Sequence, residues 1–152
     1  TDFLQRFADI RDQYQIPGGL IELELTESIF FTVGDILNVK EAIRRMHELG
    51  FLCSLDDFGS GYSSLNALKD LPADVLKLDR KFLEESEDVG KNETIIRFVI
   101  EMAKKLSMVT VAEGVETQEQ LTFLRETGCD MIQGFIFSKP LPSEKFYAVL
   151  SR

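Results

Sequence analysis

The chain contains no tryptophan, one histidine and only two cysteines among its 152 residues. The cysteines have no CxxC or Cys/His spacing, which excludes the usual zinc-binding patterns. Long hydrophobic runs are also missing, since no stretch approaches the roughly 18 apolar residues that a membrane-spanning helix needs. Because the chain begins at Thr1 rather than at a methionine, we expect it to belong to a longer protein.

Cys53 and Cys129 each lie within or beside an apolar run. Cysteines in such surroundings are among the most often buried residues, so we predict two free thiols, with a disulfide as the alternative. Free thiols are typical of a reducing compartment. The sequence therefore predicts a cytoplasmic location, and any membrane anchor is expected on other domains of the parent protein.

Basic residues are scarce, because 17 Lys and Arg face 26 Asp and Glu and leave a net charge of −9. A nucleic-acid polymer needs a basic surface, so that class of partner is excluded. A small phosphorylated ligand remains open, since divalent metal ions can join carboxylates to phosphate oxygens. The length and the 44% apolar content are those of one globular domain.

Strand-like and helix-like patterns alternate along the whole chain. Each crossover must return the chain to the same end of the sheet, so the strands are predicted to be parallel. The predicted fold class is α/β, an incomplete TIM-like (β/α) barrel with helices outside. The five predicted strands are residues 20–25, 52–56, 75–78, 108–112 and 129–132. The predicted helices are residues 1–15, 35–49, 63–68, 117–127 and 143–150. One further helix is predicted to follow a polar loop at 84–92 and to end at 106.

One strand ends in two adjacent carboxylates, Asp56 and Asp57, followed by a turn with Gly59 and Gly61. The next strand ends on Lys77. Hard oxygen ligands hold Mg²⁺ or Mn²⁺, and such metals activate water. The pattern therefore indicates a metal-assisted site, while a solvated Asp-Asp turn is the alternative.

Polar residues of this kind end all five predicted strands. In a parallel α/β fold the carboxyl ends of the strands line the functional face. We therefore predict a functional rim formed by Glu24, Glu27, Asp56, Asp57, Lys77, Glu113, Glu116 and Gln133.

These strand ends also resemble the motifs of a known family, the EAL domains. The resemblance runs in order over nearly the whole chain. The motifs are Glu-Leu-Thr-Glu-Ser at 24–28, Asp-Asp-Phe-Gly-Ser-Gly-Tyr-Ser-Ser-Leu at 56–65, Leu-Lys-Leu-Asp at 76–79, Ala-Glu-Gly-Val-Glu-Thr at 112–117, Gln-Gly-Phe at 133–135 and Lys-Pro-Leu-Pro at 139–142. Members of this family are bacterial phosphodiesterases that hydrolyse cyclic di-GMP to linear pGpG on a TIM-like barrel.

The resemblance implies a two-metal site with Mg²⁺ or Mn²⁺. Glu24 would bind the first metal, Asp56 would bridge both metals, and Asp57 would bind the second metal with support from Gln133.

The resemblance also implies roles for the remaining rim residues. Lys77 would hold the attacking water or a phosphate oxygen, and Glu113 is the candidate general base. Glu27 would stabilise the loop at 58–63, which in the family carries a dimer contact. Glu116 would contact the residues that bind the metals, or would lie near the guanine of the ligand.

The chain departs from the family in its length, since a full barrel takes about 250 residues. We therefore expect residues 1–152 to be the C-terminal portion of a single EAL domain. The Glu-Ala-Leu tripeptide is absent, and the three asparagines do not end a predicted strand. The implied metal site is thus incomplete, and the isolated chain is expected to be inactive.

Two other functions stay open at this point. The first is a degenerate EAL domain that acts as a cyclic di-GMP receptor or a protein-docking module, and the second is an unrelated metal-dependent barrel hydrolase. The resemblance also implies sensory or GGDEF-type domains in the parent protein. Five strands leave open sheet edges and an apolar inward face around Leu23, Leu55, Leu76 and Val109 or their neighbours, which predicts self-association.

Overall fold

A computed structural model of the chain describes residues 2–26, 36–59, 68–83 and 89–150. Five parallel strands form one sheet in the order β1-β2-β3-β4-β5, with helices on the connections, which confirms the α/β class. Strands β1 to β5 are Glu22–Thr26, Leu52–Phe58, Val75–Leu78, Val109–Ala112 and Met131–Ile132. Helices α1 to α5 are Phe3–Gln13, Ile36–Glu48, Val89–Lys105, Gln118–Thr127 and Ser143–Leu150, and a 3-10 helix covers Arg80–Leu83.

Local capping chemistry sets the ends of two helices. Asp2 caps α1 by accepting a hydrogen bond from the backbone N–H of Leu4 at 3.1 Å. Thr117 and Gln120 form a capping box at the start of α4, and Gly128 ends that helix in the left-handed conformation. These boundaries follow from a few adjacent residues. Helix α4 agrees with its predicted range, whereas α1 is two residues shorter at each end than predicted.

Several boundaries differ from the prediction, and at two of them a tertiary contact overrides the local pattern. Strand β1 begins at Glu22 rather than at 20, and β2 continues to Phe58 rather than ending at 56. Helix α3 begins at Val89, inside the predicted loop, and the Asn92 side chain donates a hydrogen bond to the Phe82 carbonyl at 2.6 Å. Strand β5 begins at Met131 rather than at 129, because Asp130 instead accepts hydrogen bonds from Thr110. Most of the predicted helix at 63–68 lies outside the described residues.

The two faces of the sheet differ in character. Leu55, Leu76 and Thr110 share a register row and are at most 3% exposed. They belong to the face that the helices cover, so Leu55 and Leu76 do not contribute to an open apolar surface. The opposite face exposes Val109 and Met131 by 39% and 49%. Strands β1 and β5 form the edges of the described sheet.

Both cysteines are free thiols, as predicted, with Cys53 fully buried and Cys129 partly buried. Burial raises the pKa of the Cys53 thiol to about 12, and the nearby negative charge of Asp74 adds to the effect. Among the helices that the structure describes, none has the length and apolar character needed to cross a membrane.

Candidate active site

A β-bulge brings Asp56 and Asp57 to the carboxyl rim of the sheet together. In the β2–β3 pairing, Leu55 lies opposite Leu76 and Phe58 lies opposite Leu78, so two residues of β2 face Lys77 alone. Asp57 takes the left-handed conformation with φ of 57°, which Asp tolerates better than most residues. The bulge breaks the strict alternation that would send neighbouring carboxylates to opposite faces.

The turn after the bulge has room only for glycine. Gly59 has φ of 92°, and a Cβ at this position would lie 1.8 Å from the Phe82 ring. The Phe58 and Phe82 rings stack with their centroids 6.5 Å apart. The 3-10 helix is therefore packed, through Phe82, directly against the strand end that carries the two aspartates.

Lys77 lies at the centre of the rim, and its side chain is 9% exposed. Its Nζ is 2.5 Å from Glu24 Oε1, 2.7 Å from Glu113 Oε1 and 3.3 Å from Asp56 Oδ1. Burial alone would lower the pKa of Lys77, but hydrogen bonds to Glu113 and Glu24, together with the charges of Glu113 and Asp56, raise it above its ordinary value. One ammonium thus joins carboxylates from three other strand ends.

Negative charge at this rim is not fully compensated. Asp56 Oδ1 is buried and accepts no hydrogen bond from any described group, although it lies near the Lys77 ammonium. The pKa of Asp57 is raised by burial, by a hydrogen bond with Asp79, and by the charges of Asp56, Asp79 and Glu113. A buried carboxylate oxygen that has an ion pair but no hydrogen bond, among mutually repelling carboxylates, is the environment that a divalent cation stabilises. The residues present therefore fit a hard metal ion.

The side chains are not already arranged as a metal cage. Within the described part of the chain, no three His, Cys, Asp or Glu side chains converge as a metal-binding group. The Lys77 ammonium occupies the space between Glu24, Asp56 and Glu113 instead. Metal binding here would require these side chains to rearrange around the ion.

A cleft of about 680 Å³ opens beside this cluster. One part of its wall is polar, and the other is apolar and aromatic, which is the usual mixture for a small-molecule site. The polar part consists of Asp57, Asp79, Arg80, Glu113, Glu116, Gln133, Ser138 and Lys139, and the remainder includes Ile132, Phe135, Phe137, Pro140, Leu141 and Phe146.

Two loops of the rim are joined backbone to backbone. Val115 N–H donates to the Gln133 carbonyl at 3.1 Å, and Ile136 N–H donates to the Val115 carbonyl at 3.0 Å. A Cβ on Gly134 would lie 2.0 Å from the Val115 oxygen, so only glycine allows this approach. The loop at 113–116 and the residues after β5 therefore hold each other in place.

The structure brings together most of the rim residues that the sequence analysis selected. Three of them, Glu24, Asp56 and Glu113, meet at the ammonium of a fourth, Lys77. Four line the cleft, namely Asp57, Glu113, Glu116 and Gln133. Glu27 lies outside the described residues.

Asp79 and Arg80 also line the cleft, and the sequence analysis assigned no role to either. Asp79 contacts Asp57 and accepts a hydrogen bond from the Lys81 N–H at 2.7 Å. Asp79 follows Lys77 by two residues at the end of the same strand. A rule that counted every polar residue just beyond a strand end would have found both.

Comparison with known proteins identifies the family. The family model described as the EAL domain matches residues 1–140. The cyclic di-GMP phosphodiesterase NbdA of Pseudomonas aeruginosa is 43% identical over 132 residues, which are 86% of this chain and 16% of that protein. The chain spans 16 to 19% of the length of three curated relatives that it matches.

Solved structures agree with this match. The EAL domain of Mycobacterium smegmatis DcpA superimposes with a TM-score of 0.89 at 38% identity, covering 98% of this chain and 66% of that one. Klebsiella pneumoniae BlrP1, described as a calcium and cyclic di-GMP complex, superimposes with a TM-score of 0.82 at 29% identity and covers 91% of this chain and 35% of that one. The chain belongs to the EAL domain family, whose fold is TIM-barrel-like.

Proposed function

We propose that residues 1–152 form part of an EAL-type barrel that binds cyclic di-GMP and carries most of the catalytic rim for its hydrolysis to pGpG. The observation that carries the proposal is the group of Glu24, Asp56 and Glu113 around Lys77, in which the buried Asp56 Oδ1 has an ion pair but no hydrogen bond. Three strand ends supply carboxylates to one point beside a cleft large enough for a nucleotide. The names of the similar proteins supply the ligand and the reaction.

Mg²⁺ or Mn²⁺ would be held by Glu24, Asp56 and Asp57, with Gln133 supporting the second ion. When bound, such ions lower the pKa of water and neutralise charge on a phosphodiester. The raised pKa of Asp57 supports this assignment, because a cation beside it would favour the ionised carboxylate. The bound ions would also offset the repulsion between the negative rim and a phosphate group.

Lys77 would place its positive charge against a phosphate oxygen. Glu113 would accept a proton from the attacking water, and its contact with Lys77 at 2.7 Å orients the carboxylate. Glu116 and Arg80 line the cleft, where Glu116 would contact the guanine and Arg80 the second phosphate. Glu27 is proposed to stabilise the loop that follows β2.

A second candidate function is binding without hydrolysis, as in a receptor or docking module. The observation that favours it is the closed arrangement at Lys77, where the ammonium stands between the carboxylates that would hold a metal. The chain covers only 66% of the DcpA EAL domain structure, which supports the proposal that further barrel residues contribute to a complete site. We therefore expect this chain alone to bind cyclic di-GMP and to hydrolyse little of it.

Calorimetric titration with cyclic di-GMP in Ca²⁺, and again in EDTA, tests the binding proposal. We expect heat of binding only with the divalent ion, and we expect Asp56→Asn to abolish it. Glu48→Gln, an exposed carboxylate on α2, is the matched control and should bind as the wild-type chain does. Binding that is equally strong in EDTA would contradict the metal-dependent site.

Chromatography of the products in Mg²⁺ or Mn²⁺ measures whether this chain alone hydrolyses cyclic di-GMP. Little or no pGpG from the wild-type chain agrees with an incomplete catalytic site. Rapid conversion that Glu113→Gln abolishes would show that these residues suffice for catalysis, and would overturn our expectation of an inactive chain.

A further inference from the structure

Gln120 makes contacts beyond those of a helix cap. Its side-chain oxygen accepts hydrogen bonds from the backbone N–H groups of Glu116 at 2.9 Å and Thr117 at 3.1 Å. Its backbone N–H donates to the Thr117 hydroxyl at 3.2 Å, which completes the capping box of α4. A capping box needs nothing further, so the side-chain NH₂ group is left for another purpose.

That NH₂ group donates to the Leu83 carbonyl at 3.0 Å, 37 residues away in the sequence. Leu83 ends the 3-10 helix that begins directly after Asp79. Two backbone donors on one side and a backbone acceptor on the other fix the orientation of the amide. Gln120 therefore links the loop at 113–116 to the segment that follows β3.

Both linked segments are walls of the cleft. The loop at 113–116 contributes Glu113 and Glu116, and the other segment contributes Asp79 and Arg80. They touch at Gly114, where a Cβ would lie 2.5 Å from the Cβ of Arg80. A small separation of the two segments would therefore change the position of Arg80 relative to Glu113 and Glu116.

We propose that Gln120 is a positioning residue that sets the spacing between the Arg80 wall and the Glu113–Glu116 wall of the cleft. Its effect on ligand affinity rests on the function proposed above, but its effect on the walls exists without ligand. Gln120 does not line the cleft, so it acts through the two segments that it joins.

Two substitutions separate the link from the cap. Gln120→Glu keeps an oxygen for the Glu116 and Thr117 N–H groups, and a carboxylate in the first turn suits the helix dipole. It has no donor for the Leu83 carbonyl, however, and so breaks the link alone. Thr117→Ala is the matched control, because it removes one acceptor of the cap and leaves the hydrogen bond to Leu83.

The first measurement uses assigned amide resonances of the ligand-free chain. We expect Gln120→Glu to shift the amides of Gly114 and Arg80 while those of Glu116 and Thr117 stay protected from hydrogen exchange. Thr117→Ala should lower the unfolding midpoint and leave the Gly114 and Arg80 resonances nearly unchanged. Unshifted Gly114 and Arg80 in Gln120→Glu, or equal shifts in both variants, would overturn the proposal.

The second measurement is calorimetric titration with cyclic di-GMP in Ca²⁺. The loss of one hydrogen bond predicts roughly fivefold to tenfold weaker binding for Gln120→Glu, while Thr117→Ala should bind within about twofold of wild type. The weakening should persist at high salt, since a mere charge effect is screened there. Wild-type affinity in Gln120→Glu would overturn the proposed effect on the ligand.

Failure of the proposed function and misfolding of the variant can both be told apart from failure of the positioning role. Absence of binding by the wild-type chain, together with the expected resonance shifts, would refute the proposed function and leave the positioning role supported. If Gln120→Glu does not melt cooperatively, Gln120→Met has a similar length and no charge. It also removes the oxygen that the Glu116 and Thr117 N–H groups use, so shifts at Gly114 and Arg80 that exceed those of Thr117→Ala are expected from it.

Discussion

Gly134 offers the most demanding test of how the rim is built. A methyl group at this position would lie 2.0 Å from the Val115 oxygen, 2.4 Å from its nitrogen and 2.7 Å from its carbonyl carbon. Ordinary contacts to a Cβ begin near 3.4 Å. All three neighbours are backbone atoms, which cannot rotate away as a side chain can. Gly134→Ala must therefore push the two loops apart by about 1 Å or more.

The magnitude follows from the contacts that such a shift breaks. The hydrogen bonds Val115 N–H to Gln133 and Ile136 N–H to Val115, at 3.1 and 3.0 Å, would both be lost. They contribute about 1 kcal/mol each, and overpacking adds about 1–3 kcal/mol. We therefore expect Gly134→Ala to lower the free energy of unfolding by about 3–5 kcal/mol. For a domain of this size 1 kcal/mol shifts Tm by about 2–4 °C, so the Tm should fall by roughly 6–20 °C.

Thermal and urea unfolding would measure the change, with Gly18→Ala as the matched control. A Cβ on Gly18 would lie 3.6 Å from the nearest atom, an ordinary contact. Gly18→Ala should therefore change the stability by less than about 1 kcal/mol. A Gly134→Ala chain that melts within a degree of wild type would show that the loops separate freely, and would refute this account of the rim.

Three further predictions concern charged side chains. Lys77→Met leaves Glu24, Asp56 and Glu113 without their ammonium and should lower the free energy of unfolding in urea by about 3 kcal/mol. This value is at the low end for a buried ion pair, because Glu24 is half exposed and can be rehydrated. An unchanged unfolding midpoint would contradict the prediction. Asp57 has a raised pKa, so it favours folding at low pH and loses that contribution as pH rises through its folded pKa. Asp57→Asn should consequently stabilise the metal-free chain at pH 7 by less than about 1 kcal/mol and weaken binding of divalent ions, whereas a loss of stability would refute the charge argument. Burial would raise the pKa of Asp130, but hydrogen bonds from Thr110 lower it, so Asp130 adds stability that is lost as pH falls through its folded pKa. Asp130→Asn should cost about 1–2 kcal/mol at pH 7 and reduce the acid sensitivity of the melt; an unaltered acid limb would contradict this.

Features governed by adjacent residues could be predicted from the sequence. Asp2, Thr117 and Gly128 have side chains or backbone preferences that set helix ends without help from the rest of the chain. The meeting of Lys77 with carboxylates from other strand ends was also predictable, because parallel strands end at one rim. These cases need only local chemistry and one rule of topology.

Other features depend on tertiary contacts that leave no local signal. The face that Leu55 and Leu76 occupy could not be read from their strands, because strands buried on both sides do not alternate in polarity. The β-bulge at Asp56 and Asp57 is visible only in the register with β3. The start of α3 depends on the contact of Asn92 with the Phe82 carbonyl.

The central claim is that the carboxylates at the rim bind a divalent cation at the edge of the cleft. Mn²⁺ is paramagnetic and broadens the amide resonances nearest to it, so a Mn²⁺ titration of the ligand-free chain tests the claim directly. We predict that the amides of Asp56, Asp57 and Gln133 broaden first, that those near Cys129 at the opposite end of the strands broaden less, and that Asp56→Asn removes the effect. Broadening that starts instead at the exposed acidic residues of the helices, and that is the same in Asp56→Asn, would contradict the metal site on which the proposed function rests.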